Sequence, residues 1–183
     1  MRVVFDSNVL ARAHQRADGP ARQALVQVTR GSHTLILSSY ILWELERVLA
    51  YPRLLKRSGL SPDDIAEYLE NLAEIAYLVT PEPVPEYVLR DPTDRPILGT
   101  ALAGQAEILC TRDADLLAED VRRFCSAKGI RVLTDLESWK HSVLEPAGSR
   151  PHVWGLARSY RRSSSRLYHF GTATPLSVGG CPP

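Results

Sequence analysis

Two aspartates directly follow short apolar runs, where their carboxylates could act as metal ligands or as helix caps. Asp6 follows the run at residues 2–5, and Asp113 comes just after the run at residues 107–111. Both runs predict buried β-strands. The carboxyl ends of neighbouring parallel strands meet at one edge of a sheet, where ligands collect. We therefore expect these carboxylates to lie together, although each could instead cap the helical segment that follows it.

A glutamate on an apolar helix face is the least ordinary of the candidate residues. Residues 40–50 predict a helix that buries Ile41 and Val48, and Glu44 shares their face because it lies three and four residues from them. Glu46 points to the opposite side, towards water. A buried charge needs a partner, and a metal ion would be one. The alternative is a glutamate at the boundary whose carboxylate reaches solvent.

Asp94 is the fourth candidate and precedes a predicted helix that extends to about residue 103. Asp91 lies three residues before it. We expect one of the two to cap the helix and the other to be free for chemistry. Pro96 follows so closely that it could shift the start of this helix and, with it, the carboxylate.

Four carboxylates at one site would repel one another, and without a cation some would take up protons. Mg²⁺ and Mn²⁺ prefer carboxylate oxygens and water. Such a site suits phosphodiester hydrolysis, because the ion orients the phosphate, stabilises developing charge and lowers the pKa of an attacking water. The three cysteines and five histidines show no zinc spacing, and neither a Walker A nor a GxGxxG motif is present.

The elements that would position these carboxylates alternate between strand and helix along the chain. Such alternation, with nearly all-apolar strands, predicts an α/β fold with a parallel sheet covered on both faces. The predicted strands are 2–5, 34–37, 77–80, 107–111 and 131–134, and the predicted helices are 9–15, 20–29, 40–50, 62–76, 94–103, 116–120 and a last turn ending near 139. Residues 51–57 mix basic and apolar side chains, which is typical of a loop or of a contact for RNA or a protein partner.

The pattern divides the chain into a domain at residues 1–140 and a poorly ordered basic tail at residues 141–183. The first part carries 17 basic and 20 acidic side chains, whereas the tail carries five basic residues and one acid. No apolar run approaches the roughly 18 residues of a membrane span, and the amino terminus does not resemble a signal peptide. We therefore expect a cytoplasmic protein with no membrane partner.

Four segments together resemble the motifs of PIN-domain nucleases, and in particular those of the VapC-like toxins of toxin–antitoxin systems. The segments are DSNVL at residues 6–10, WELERVL at 43–49, DPTDRPIL at 91–98 and TRDADLL at 111–117. The resemblance extends over residues 1–140, and it lies in the order and spacing of the motifs as well as in their flanking residues.

The resemblance implies a three-layer α/β/α PIN-like fold with a central parallel sheet. It also implies a Mg²⁺- or Mn²⁺-dependent endoribonuclease that is the toxin of a type II toxin–antitoxin pair, acts on RNA, is inhibited by a cognate antitoxin and often forms a homodimer. Its metal-site acids match Asp6, Glu44, Asp94 and Asp113, and Asp115 matches a position that often supports the site. Asn8 and Thr111 match polar positions near the site, to which we assign orienting roles.

Other readings remain open from the sequence. Arg95 and Arg112 lie beside the candidate acids and could contact phosphate or be solvated surface residues. A phosphotransfer enzyme also places acids at strand ends, but a dehalogenase-type phosphatase would need an aspartate where Asn8 stands. A PIN nuclease of RNA processing or DNA repair, and a non-catalytic module that binds RNA or protein, are the two remaining alternatives.

Overall fold

Strands and helices alternate along the protein, whose computed structural model describes residues 1–31, 33–89 and 91–140. The strands in these ranges are β1 (Arg2–Phe5), β2 (Thr34–Leu37), β3 (Tyr77–Leu78), β4 (Ile108–Cys110) and β5 (Arg131–Leu133). The helices are α1 (Ser7–Leu10), α2 (Pro20–Arg30), α3 (Ser39–Leu49), α4 (Pro52–Ser58), α5 (Pro62–Ile75), α6 (Arg95–Ala103), α7 (Glu119–Ala127) and α8 (Asp135–Lys140).

The five strands form one sheet in the order β3-β2-β1-β4-β5, and every neighbouring pair is parallel. β1 is central: Val3 pairs with Leu35 of β2, and Val4 pairs with Leu109 of β4. The core is built from the central strands, whose side chains are almost all buried, because helices cover both faces of the sheet. The predicted three-layer α/β/α fold is therefore confirmed.

Local signals explain where several helices begin. The Ser38 hydroxyl accepts the backbone N–H of Ile41 and caps α3. Ser61 and Asp64 form a capping box at the start of α5, where Pro62 occupies the first helical position. Both starts agree with the predicted helices.

Three predictions of local structure were wrong or incomplete. The helix predicted at 9–15 ends at Leu10 and continues as turns, and the helix predicted at 116–120 is replaced by a turn followed by α7. The segment 51–57 is largely helical, since it contains α4.

The predicted tail at residues 141–183 lies outside the described residues. Within the described residues, no helix has both the length and the apolar character required to span a membrane.

Candidate metal centre

Asp6 is fully buried between β1 and α1. Its backbone N–H donates to the Cys110 carbonyl of β4 at 2.9 Å, which continues the pairing of the two strands. Oδ1 accepts from the Ser7 hydroxyl (3.2 Å) and the Asn8 backbone N–H (3.4 Å), and Oδ2 accepts from the Thr111 hydroxyl (2.7 Å). Burial raises the pKa of Asp6, and these hydrogen bonds partly oppose that rise.

Thr111 joins the first aspartate to the next motif. Its hydroxyl, which donates to Asp6, also accepts the backbone N–H of Asp113 at 2.9 Å. Oδ1 of Asp113 in turn accepts the backbone N–H groups of Asp115 (2.8 Å) and Leu116 (3.4 Å). Asp113 therefore stabilises the turn after β4, while its negative charge still reaches the site and raises the pKa of Asp6.

Glu44 of α3 is half-buried, as its position on the apolar face predicted. Its Oε2 atom is buried and has no hydrogen-bond partner among the described residues. Burial raises the pKa of Glu44, as do the charges of Asp6 and Asp113, while a hydrogen bond with Ser7 lowers it. A buried carboxylate oxygen without a partner is costly, and a cation could supply the missing interaction.

Asp94 immediately precedes α6, but its side chain makes no capping hydrogen bond. Asp91 is instead the locally bonded member of the pair, because its Oδ1 accepts the backbone N–H and the hydroxyl of Thr93 at 2.8 and 2.7 Å. Burial, followed by the charge of Asp113, raises the pKa of Asp94 to about 7. Pro96 does not displace Asp94 from the site, since α6 begins at Arg95.

Three of the five predicted ligands converge. Asp94, Asp113 and Asp115 each place one carboxylate oxygen within 4.8 Å of the others. Asp6 and Glu44 are not members of this cluster of described residues, but each interacts electrostatically with Asp113. The structure therefore places the buried Asp6 and the half-buried Glu44 within electrostatic reach of the group of three.

Two residues that the sequence does not single out lie beside the predicted acids. Ser7 donates to Asp6 and interacts with Glu44. Tyr40 lies one helical turn before Glu44, and its hydroxyl donates to the carbonyl of Thr93, next to Asp94, at 2.8 Å. The signal for Tyr40 was its spacing of four residues from Glu44, but the contact with Thr93 depends on how α3 packs in three dimensions.

The two residues expected to orient the acids differ in their surroundings. Thr111 is buried and bonded to two motifs, in agreement with an orienting role. The Asn8 side chain is exposed, and it is the backbone N–H of this residue that bonds to Asp6.

Both arginines considered as phosphate contacts are engaged in ion pairs. Arg112 donates to the two carboxylate oxygens of Asp135 at 2.6 and 2.8 Å, and these hydrogen bonds raise the pKa of Arg112. Arg95 donates to Glu86 at 3.1 Å. The Arg112–Asp135 pair attaches the loop that bears Asp113 to the start of α8.

The donor set fits a hard divalent cation. It consists of carboxylate oxygens, which Mg²⁺ and Mn²⁺ prefer. The buried Oε2 atom of Glu44 has no hydrogen-bond partner among the described residues, and a cation would be a suitable partner for it. Burial, and after it the charges of neighbouring acids, raise the pKa of Asp94, and a bound cation would favour its ionised form instead.

A model of the PIN domain matches residues 2–115. The chain belongs to the PIN-domain family. This range includes every one of the five candidate ligands. The crystal structure of VapBC2 from Rickettsia felis bound to a DNA fragment from their promoter is similar, with a TM-score of 0.48 and 14% identity, over 73% of this chain and 98% of that chain. A search of curated protein sequences gives no significant match.

Proposed function

We propose that this PIN-domain protein is a Mg²⁺- or Mn²⁺-dependent endoribonuclease. The observation that supports this most strongly is the convergence of Asp94, Asp113 and Asp115 within 4.8 Å, beside the half-buried Glu44 with its orphaned oxygen. Carboxylates this close repel one another when they are ionised, and a bound divalent cation would reduce that repulsion. The choice of RNA over DNA is supported by the likeness of the sequence motifs to those of VapC-like toxins.

In this proposal, Asp94, Asp113 and Asp115 hold the ion, while Asp6 and Glu44 contact it directly or through water. A bound divalent cation supplies Lewis-acid stabilisation of the phosphodiester and a nucleophile at neutral pH. Thr111 fixes the orientation of Asp6, since its hydroxyl donates to Oδ2.

RNA cleavage by the purified full-length protein tests this assignment. We expect cleavage in Mg²⁺ or Mn²⁺ and none in EDTA. Asp6→Asn and Glu44→Gln should each lower the rate roughly 100-fold, since they remove a charge from the site but keep the side-chain volume. Glu46→Gln is the matched control, because Glu46 lies on the same helix but is exposed.

Undiminished cleavage by Asp6→Asn and Glu44→Gln would show that the activity comes from another site or a contaminant. A DNA oligonucleotide of the same base sequence completes the experiment, since preferential cleavage of DNA would contradict the proposed substrate.

We further propose that the protein is the toxin of a type II toxin–antitoxin pair, with a cognate antitoxin as partner and a homodimer as its assembly. The support is again the likeness of the four motifs to those of VapC-like toxins. Induced expression should arrest growth, and co-expression of the product of an adjacent gene should relieve the arrest. Normal growth together with RNA cleavage in vitro would favour the alternative role in RNA processing.

A further inference from the structure

An aromatic and basic strip runs along one side of α3. Tyr40, Trp43 and Arg47 recur at helical spacing and therefore share a face. The Trp43 side chain is 49% exposed, which is unusual for so large an apolar ring. The Arg47 guanidinium lies 4.7 Å from the centroid of the Trp43 ring, and the rings of Tyr40 and Trp43 are 5.8 Å apart.

The strip adjoins the acidic site. Glu44 follows Trp43 directly on α3. The Tyr40 hydroxyl donates to the Thr93 carbonyl, and the charges of Glu44 and Asp94 both act on the Tyr40 hydroxyl. Trp43 therefore lies next to a tyrosine that itself contacts the segment carrying a candidate metal ligand.

A positively charged helix follows the strip. Arg53, Lys56 and Arg57 are exposed on α4, and their spacing places them on one face of that helix. α4 is joined to α3 by a short turn. The carboxylates of the site repel a polyanion, whereas these cations, together with Arg47, attract one. The charge distribution thus fits a nucleic-acid strand that crosses α3 on its way to the site.

We propose that Trp43 stacks against an unpaired base of the RNA substrate, and that Arg47 and the basic face of α4 contact its phosphates. The proposal rests on the proposed nuclease function and names the residues of this chain that hold the RNA strand outside the acidic site. Aromatic side chains bind any base through its π-face, but only when that base is outside a duplex. Arginine beside an aromatic ring is a common complement to such stacking.

Binding without cleavage tests the proposal separately from the nuclease function. Fluorescence anisotropy of a labelled RNA single strand is measured with the full-length protein at low ionic strength, in EDTA and again in Ca²⁺. Trp43→Ala should weaken binding roughly 10- to 100-fold, which corresponds to one lost base stack. Trp43→Tyr should restore most of the affinity, and the affinity for an RNA duplex should not change.

Tyr77→Ala is the matched control. Tyr77 is 58% exposed and also has an arginine over its ring, since the Arg2 guanidinium lies 5.7 Å from its centroid. Tyr77 lies on β3, the outermost strand of the sheet, and β2 separates it from β1, the strand that Asp6 follows. Tyr77→Ala should therefore bind the single strand as the unsubstituted protein does. Arg47→Gln should lower affinity and reduce the dependence of binding on salt.

Equal affinity of Trp43→Ala and the unsubstituted protein for the single strand would overturn the proposal, as would an equal loss in Tyr77→Ala. If Trp43→Ala keeps its RNA affinity but no longer binds the product of an adjacent gene, the strip is a protein-binding surface and the proposal is wrong. If the single strand binds through Trp43 but is not cut in Mg²⁺, the nuclease function fails while the stacking site stands. In cleavage assays, Trp43→Ala should raise KM with little change in kcat.

Discussion

At the scale of single residues, capping a helix and serving a metal site are compatible roles for the same aspartate. Oδ1 of Asp6 accepts an N–H at the start of α1, and Oδ1 of Asp113 accepts two N–H groups of the following turn. A carboxylate offers about four acceptor positions, so these bonds leave capacity for a cation. The sequence could not decide between the two roles, because a capping hydrogen bond and a position beside the other acids do not exclude each other.

The elevated pKa of Asp94 predicts how the stability of the metal-free protein depends on pH. Its pKa rises from 3.8 in the unfolded chain to about 7 in the folded protein, so the folded state binds the proton more tightly. The resulting stabilisation is fully present below about pH 4 and is lost as pH rises through about 7. We therefore expect Asp94→Asn to raise the melting temperature in EDTA, and to raise it more at pH 8 than at pH 5.

The unsubstituted protein and Asp94→Asn are compared at each pH because the lowered pKa of His14 makes stability change with pH in the opposite direction. Burial and the charges of Arg22 and Arg16 lower the pKa of His14, so its contribution to stability is lost as pH falls. This contribution cancels in the difference between the unsubstituted protein and Asp94→Asn. A difference in melting temperature that does not vary with pH would contradict the assignment of the titration to Asp94.

At the scale of helices and strands, the sequence predicts the sheet well and the short helices less well. The sequence locates all five strands, because each is a short apolar run bounded by polar residues. The three inner strands are largely buried by the helices on the two faces of the sheet, whereas the edge strands β3 and β5 are more exposed. The sequence does not predict α4 or α7, although Pro52 begins α4 and Gly59 follows its end, because charged residues are at least as numerous as apolar ones in both. Only packing against the rest of the fold stabilises such short helices.

The residues of the candidate site, like the helices and strands, differ in how well the sequence predicts their positions. Asp6 and Asp113 could be located from strand ends, and Glu44 from its place on an apolar face. The convergence of Asp115 with Asp94 could not be derived from spacing, because it depends on the turn at residues 114–117 and on where α6 begins. The sequence therefore locates candidate ligands on or directly after regular elements, and it is less informative about candidate ligands in turns.

The packing of α6 predicts that a single added methyl group will disturb the site. A Cβ at Gly99 would lie 2.2 Å from the backbone oxygen of Glu82, whose N–H donates to the Gly99 carbonyl. Gly99→Ala must therefore push α6 away from the 81–82 segment, and α6 sets the position of Asp94. We expect a loss of about 1–3 kcal/mol in the free energy of unfolding, measured by urea denaturation.

Gly19→Ala provides the comparison for this substitution. A Cβ at Gly19 would meet no atom within 4 Å, and its backbone is extended, so its replacement should change the free energy of unfolding by at most about 1 kcal/mol. Equal stabilities of the two variants would show that the 81–82 segment yields easily and does not constrain α6.

At the scale of the whole molecule, the candidate ligands come from segments far apart in the chain. They follow β1, lie on α3, precede α6 and follow β4. A cation held among them would stabilise the folded state against unfolding, because the unfolded chain does not keep these carboxylates together.

We therefore expect Mg²⁺ or Mn²⁺ to raise the melting temperature. At a concentration 100-fold above the dissociation constant, the stabilisation is about 2.7 kcal/mol, or roughly 5 to 10 °C for a protein of this size. Asp113→Asn should abolish most of the shift, and Glu46→Gln should leave it intact. A similar shift in NaCl of the same ionic strength would show that screening, and not a specific site, is responsible.

The pairing of β4 with β1 has a consequence for the protein during its synthesis. The hydrogen bond from Thr111 to Asp6 closes a chain segment of 105 residues, and it can form only after β4 has docked beside β1. Contacts of such high sequence separation form slowly compared with local helices. A ribosome-bound chain that ends before β4 holds Asp6, Glu44 and Asp94 but lacks Asp113 and Asp115, so the acidic centre is assembled only in the nearly complete domain.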